Sequence, residues 1–217
     1  MEYMKDKSVI LKNVYRGNAA NNEIEIVGDP DIVYDDKYIT VVKDPVHFPN
    51  GKLGNYLRVV ETPSLTGSTG VIVVPYSKDD IYFINIFRHA LRSWSLELPR
   101  GGRKDGELIP DCGYRELKEE MGIDITPQKI DVIGSIHPNS GLLTSKVHIM
   151  VINISGIIDK KLSVPPENNE SIDFIAAVPM RGTHCVDDQI ALGRIHCGMT
   201  IAAYTIFKCK FPYLFEY

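Results

Sequence analysis

Three glutamates fall within five positions in the segment GGRKDGELIPDCGYRELKEEMGI, residues 101–123. The surrounding residues carry the punctuation of a helix. Pro110 suits the first turn, where its missing N–H loses nothing, and Asp111 complements the positive end of the dipole. Gly122 supplies a left-handed stop, so the predicted helix runs from about Pro110 to Met121. On that helix Glu116, Glu119 and Glu120 stand at i, i+3 and i+4 and project from one side. Pairing Arg115 with Glu119 at i, i+4 explains a solvated charged face but leaves Glu116 against Glu120 uncompensated. A divalent cation removes the repulsion. Mg²⁺ takes oxygen ligands from one or two carboxylates, water and phosphate, so the cluster suits Mg²⁺ or Mn²⁺ with a phosphorylated ligand. Zinc is less apt, because no histidine or cysteine joins the cluster. Gly113 sits inside the helix at an expected penalty of roughly 1 kcal/mol relative to alanine.

The rest of the chain reads as strands framing this helix. EIEIVGD, KYITVVKD and NYLRVVET make the first 60 residues strand-rich, broken by turn residues at Asp29-Pro30 and Pro49-Asn50-Gly51. GVIVVPYSKDDIYFINIFR predicts a hairpin turning at Ser77–Asp80, with a near-continuous apolar run that belongs in the centre of a sheet. WSLEL, KIDVIGSI, KVHIMVINI and IDFIAAVP add further strands. The chain ends in a helix with Met199, Ala202, Ala203 and Ile206 on one stripe, then the aromatic segment FPYLFEY, suited to packing on the core or on a partner chain.

At this point the residues carry a resemblance. Gly101, Glu107 and the run Arg115-Glu116-Leu117-Lys118-Glu119-Glu120-Met121-Gly122-Ile123 match the Nudix box at each of its defined positions. The resemblance implies an α/β fold, a Nudix α/β/α sandwich with a mixed sheet, that cleaves a nucleoside diphosphate linked to another moiety. It implies that Glu116, Glu119 and Glu120 are metal ligands, joined by the carbonyl of Arg100, that Arg115 orients a box glutamate and that Glu107 is a structural acid. The chemistry agrees: diphosphate hydrolysis needs charge neutralised on phosphate oxygens and an activated water, which bound metal, a carboxylate base, or both can supply. The Gly101-Gly102 pair lets the backbone approach closely.

Outside the box the chain resembles the ADP-ribose and nucleoside-diphosphate-sugar pyrophosphatase branch. Trp94-Ser95-Leu96-Glu97-Leu98-Pro99-Arg100-Gly101 is similar to its ELPxG lead-in, and Pro138 with Gly141 in HPNSG resembles its marker-proline loop. Gly193-Arg194-Ile195 with Thr200-Ile201-Ala202-Ala203 resembles its C-terminal element. The strand-rich start, residues 1–60, resembles the small domain that this branch uses to dimerise and complete the substrate site, leaving 61–217 as the hydrolase domain. By the same resemblance Arg88 and Glu97 belong to the substrate site, and the catalytic base is a late-loop glutamate, Glu167 or Glu170, with Glu170 the better fit before Ile172. The marker loop here ends at Lys146, where the branch often has an acid.

Composition bounds the remainder. A net charge of −4 argues against a general nucleic-acid surface, and no apolar run is long enough to span a membrane. Four cysteines without a CxxC pair, and no secretory signal at the start, fit a reduced cytoplasmic protein. His184-Cys185 and His196-Cys197 do not reproduce zinc-ligand spacing, and Cys112 reads as a packed residue. The reading is therefore a Mg²⁺-dependent homodimeric pyrophosphatase for ADP-ribose or a related nucleotide sugar. The alternatives are another nucleoside diphosphate derivative, such as GDP-mannose or a dinucleotide, or a nucleotide-binding sensor without turnover.

Overall fold

In the computed structural model, which describes residues 10–62, 65, 67, 69–124, 130–157, 162 and 170–216, the chain forms two compact units. One comprises Met1–Thr69 with His137–Lys146, the other Gly70–Ile136 with Val147–Tyr217. The division departs from the expected boundary at residue 60, because the loop after Ile136 bonds to the N-terminal strands. Val59 N–H donates to the Leu142 carbonyl at 2.8 Å, Thr144 N–H to Val59 at 3.0 Å, and Thr69 N–H to Lys146 at 2.9 Å.

The N-terminal unit is built from β1 (Glu25–Ile26), β2 (Asp31–Asp35), β3 (Ile39–His47) and β4 (Leu53–Glu61), the other three all pairing antiparallel with β3. Strand β3 buries alternate residues, Thr40, Val42, Asp44 and Val46, as a strand with one face inward should. Asp44 can be buried there because Arg58 binds it through Nε at 2.5 Å and Nη2 at 3.1 Å. Strand β2 was not expected. Its five residues are all exposed, so it carries no hydrophobic alternation by which sequence could announce it.

In the second unit, β5 (Gly70–Tyr76), β6 (Asp80–Arg88), β7 (Ser93–Glu97), β8 (Arg100–Gly102), β9 (Asp131–Ile136), β10 (Val147–Asn153) and β11 (Ile172–Pro179) form one mixed sheet. Its main order is β11-β6-β5-β10-β9, with β5 and β10 parallel and the other pairs antiparallel. The expected β5–β6 hairpin forms, but its ladder is confined to the turn, at Tyr76 opposite Ile81. Further along the two strands take different partners. β6 pairs with β7 from Ile84–Glu97 to Arg88–Ser93, and β5 pairs with β8 from Gly70–Gly102 to Ile72–Arg100. The segment from Ser93 to Gly102 thus crosses from one strand of the hairpin to the other.

Alternation along the strands builds two cores. Val71, Val73, Tyr82, Ile84, Ile86, Met150 and Ile152 face α1 (Ile109–Met121), which contributes Cys112, Leu117 and Met121. Ile72, Val74, Ile81, Phe83, Ile149 and Val151 face the opposite way, toward α2 (Val186–Ala191) and α3 (Gly198–Lys210). This is the α/β/α sandwich. Gly122 ends α1 with φ 66°, as expected of a left-handed stop. Gly113 earns its place in α1, since a Cβ there would lie 2.9 Å from the Met150 sulfur and 3.5 Å from Val73.

Two readings of the C-terminal region need correction. The helix α2 had not been anticipated; at six residues it is too short to show a periodic pattern. On α3 the fully buried stripe is Thr200, Ala203, Tyr204 and Phe207, one position round from the expected one; Met199 and Ile206 pack at its margin. The aromatic bulk of Tyr204 and Phe207 sets the rotation, with Phe207 against Tyr76, Phe211 and Phe215. Among the described residues no helix is long and apolar enough to cross a membrane.

Candidate active site

The helix α1 does not present its three glutamates equally. Glu116 and Glu120, one turn apart, lie on the buried side beside Leu117 and Met121, at 5% and 2% exposure. Glu119, 100° round the helix from Glu120, is half exposed and pairs with Arg115 at 3.1 Å and with Lys104 at 3.8 Å. Of the three glutamates expected on one side of the helix, two form a buried pair and the third is held at its rim.

Arg115 organises this end of the site. Its Nε and Nη2 grip Glu107 at 2.8 and 3.1 Å, Nη1 reaches Glu116 at 2.6 Å, and Nη2 also donates to the Gly102 carbonyl at 2.8 Å. Burial alone would raise the Glu107 carboxyl, but the bonds from Arg115 and the Lys104 N–H hold it below its ordinary range. Cys112 is fully buried under the same arginine, with its thiol pushed up to about 12, chiefly by burial, which suits packing and not nucleophilic attack.

The buried pair is tuned in the opposite sense. Burial, acting against the attraction of Arg115, raises Glu116 to about 7. Burial and the neighbouring charges of Glu170 and Glu116 raise Glu120 to about 9. Glu120 Oε2 accepts the Arg100 N–H at 3.0 Å, whereas Oε1 is buried and meets no hydrogen-bond donor among the described residues. Two desolvated acids that resist ionisation, one with an orphaned oxygen, are suited to a cation that would restore what burial removed. Among the described residues no three His, Cys, Asp or Glu side chains converge into a ready-made cage. Magnesium does not require one, since it keeps several waters and shares its shell with substrate phosphates. The residues fit that ion.

Glycines allow this packing. A Cβ on Gly101 would stand 2.0 Å from the Glu116 carboxyl carbon, and one on Gly70 would stand 2.3 Å from the Gly101 carbonyl oxygen. The carboxylate of Glu116 therefore rests directly on the β8 backbone. Gly101→Ala is expected to displace Glu116 and lower kcat about 100-fold, the scale of a misplacement near 1 Å, with melting temperature little changed because the displaced group is a side-chain tip. Steady-state kinetics beside a thermal melt will check it.

The remaining residues of the expected site fall in three places. Glu170 lies two residues before β11, next to Ser171, whose carbonyl accepts the Phe87 N–H at 2.8 Å; the charge of Glu170 acts on Glu116, Glu120 and Arg88 together. Glu167 lies outside the described residues. Arg88, ending β6, binds Glu97, which is 1% exposed and also pairs with Arg100 at 2.8 Å. Burial works to raise the Glu97 carboxyl, but the two arginines outweigh it and hold the carboxyl below its usual range. Pro138 and Gly141 belong to the N-terminal unit, where the Gly141 carbonyl accepts the Tyr56 hydroxyl at 3.0 Å. Sequence had not shown that Glu97 is enclosed by two arginines; the only signal was its strand position amid apolar neighbours, three residues before Arg100.

Comparison with known proteins agrees with this geometry. The family model of the NUDIX domain matches residues 68–179. A Mus musculus protein, ADP-sugar pyrophosphatase, is 26% identical over 141 residues, an alignment covering 60% of this chain and 62% of the mouse protein. The chain thus matches a little under two thirds of that relative's length. A crystal structure described as an ADP compounds hydrolase aligns with a TM-score of 0.61 at 18% identity, covering 87% of this chain and 94% of the other, a likeness of fold. With half the sequence matched and the box glutamates packed on the glycine-rich turn, the chain belongs to the Nudix family.

Proposed function

We propose that this protein is a Mg²⁺-dependent pyrophosphatase that adds water across the diphosphate of ADP-ribose or a related nucleoside diphosphate sugar, releasing a nucleoside monophosphate and a sugar phosphate. The observation that carries the reading is the buried Glu116–Glu120 pair, set against Gly101 and within reach of the Glu170 charge. Bound at Glu116 and Glu120, with Glu119 and the Arg100 carbonyl at the rim, Mg²⁺ or Mn²⁺ would neutralise phosphate oxygens and lower the pKa of water. Glu170 is the base that takes the proton of the attacking water, since its charge reaches both members of the pair from outside α1. Arg88, held through Nε and Nη2 by Glu97, is assigned to steadying a substrate phosphate. Arg115 serves by fixing Glu116 and Glu107.

The similarity to ADP-sugar pyrophosphatase supports the nucleotide-sugar substrate. Pro138 and Gly141 are assigned to substrate binding by the resemblance of HPNSG to the marker-proline loop. The N-terminal unit also exposes Ile32, Val33, Tyr34, Leu53 and Leu57, apolar area that supports a homodimer. Four free cysteines support a reducing, cytoplasmic setting.

A hydrolysis screen of ADP-ribose, nucleotide sugars, GDP-mannose, dinucleotides and nucleoside triphosphates with Mg²⁺ or Mn²⁺ tests the reading. ADP-ribose or another nucleotide sugar should show the highest kcat/KM, with AMP and ribose 5-phosphate as the products from ADP-ribose. Preference for a triphosphate or dinucleotide would reassign the substrate, and binding without turnover would make the protein a sensor.

A further inference from the structure

We propose that Glu97 is the positioning residue of this site, a buried carboxylate that aims Arg88 at the substrate phosphates and, through Arg100, fixes Glu120. The substrate half of the proposal rests on the pyrophosphatase reading above; the Glu120 half does not. Glu97 Oε2 receives Nη2 of Arg88 and Nη2 of Arg100, each at 2.8 Å, and Nε of Arg88 straddles both carboxylate oxygens at 3.2 Å. The two arginines come from different strands, β6 and β8, so one carboxylate joins both sides of the chain crossing.

Arg100 then acts twice. Its guanidinium is held by Glu97 on one side and by the Met199 sulfur at 3.5 Å on the other, while its main-chain N–H donates to Glu120 Oε2 at 3.0 Å. A peptide whose side chain is pinned has little freedom to rotate its N–H away from Glu120. Two guanidiniums share the one acid, which sets two cationic groups together where a diphosphate could meet them. An ion pair that served stability alone would need neither the second arginine nor the link to Glu120.

The test uses the full chain and the variants Glu97→Gln, Glu97→Asp, Arg88→Met and Arg100→Met, with Mn²⁺ affinity from calorimetry, kcat and KM for ADP-ribose, and melting temperature. Glu97→Gln should weaken Mn²⁺ about tenfold, as loss of a supporting residue does at metal sites, and lower kcat/KM about 100-fold. Arg100→Met should reproduce the Mn²⁺ loss. Arg88→Met should reproduce the kcat/KM loss while its Mn²⁺ affinity stays that of the parent protein. Adding Glu97→Gln to Arg88→Met should cost less in kcat/KM than adding it to the parent, because the two act as a unit. Glu97→Asp, which keeps the charge, should recover part of both losses.

Parent-like Mn²⁺ affinity and kcat/KM in Glu97→Gln would overturn the proposal, as would full additivity in the double variant. Should Glu97→Gln fail to fold, parent-like Mn²⁺ affinity in Arg100→Met would overturn it instead, and a tenfold loss there would uphold it. If the parent hydrolyses no nucleotide at all, the pyrophosphatase reading fails, while the Mn²⁺ titrations still decide the link from Arg100 to Glu120.

Discussion

Glu120→Gln should lower kcat on the order of 1,000-fold, the scale of removing a buried electrostatic contributor, while leaving the metal-free protein at least as stable as before. The two halves of that result have one cause. Glu120 is 2% exposed and its carboxyl is raised to about 9, by burial first and then by Glu170 and Glu116. The ionised form is thus the disfavoured one in the folded, metal-free chain. Glutamine keeps the oxygen that accepts the Arg100 N–H and carries no charge to bury, so the fold loses nothing. What it cannot do is supply anionic oxygen to a cation. Kinetics and thermal melts on the same preparation check both halves; unchanged turnover would remove Glu120 from the metal site, and a large loss of melting temperature would show that its charge is structural.

Metal-free stability should fall as pH rises from about 5 to 9, and Mn²⁺ or Mg²⁺ should reverse the fall. Glu116 and Glu120 have folded pKa values near 7 and 9, both raised from an unfolded value of 4.5. A group raised in this way contributes stability that is fully present below its unfolded pKa and is lost as pH climbs through the folded one. The loss therefore runs through the neutral range and continues past pH 8. A combined effect on the order of 2 kcal/mol would move the melting temperature roughly 4–8 °C in a domain of this size. Cation binding requires the ionised acids, so it should release protons at pH 7 to 8, and its stabilisation should be larger at pH 8 than at pH 5.5. Melts across pH with chelator or metal, together with calorimetry in buffers of different ionisation enthalpy, measure these quantities. A metal-free melting temperature that rises from pH 5 to 9 would contradict the assigned burial of the pair.

Much of the site could be read directly from residue order because it is local. The spacing of the box glutamates, the proline at the start of α1 and the glycine at its end act within a few turns of one helix. What stayed hidden depends on which side of that helix meets the sheet. Glu119 and Glu120 are neighbours in sequence, yet one is half exposed and the other buried, and only the packing of α1 against Val73 and Met150 separates them. Gly113 looked unfavourable for the same reason, since its benefit is an approach to Met150 that helix propensity does not contain. The enclosure of Glu97 was hidden because its partners lie on β6 and β8, which the chain crossing brings together. Strand β2 and helix α2 escaped notice for lack of a pattern: one buries nothing, and the other is shorter than two turns.

The crossing between the halves of the hairpin also limits how this region can vary. Glu97 is held in register opposite Ile84 of β6, and Arg100 opposite Ile72 of β5, so only Leu98 and Pro99 bridge the two ladders. That short span behaves as a ruler fixed at both ends. A single inserted or deleted residue would slide one ladder against the other and turn Glu97 or Gly101 to the wrong face.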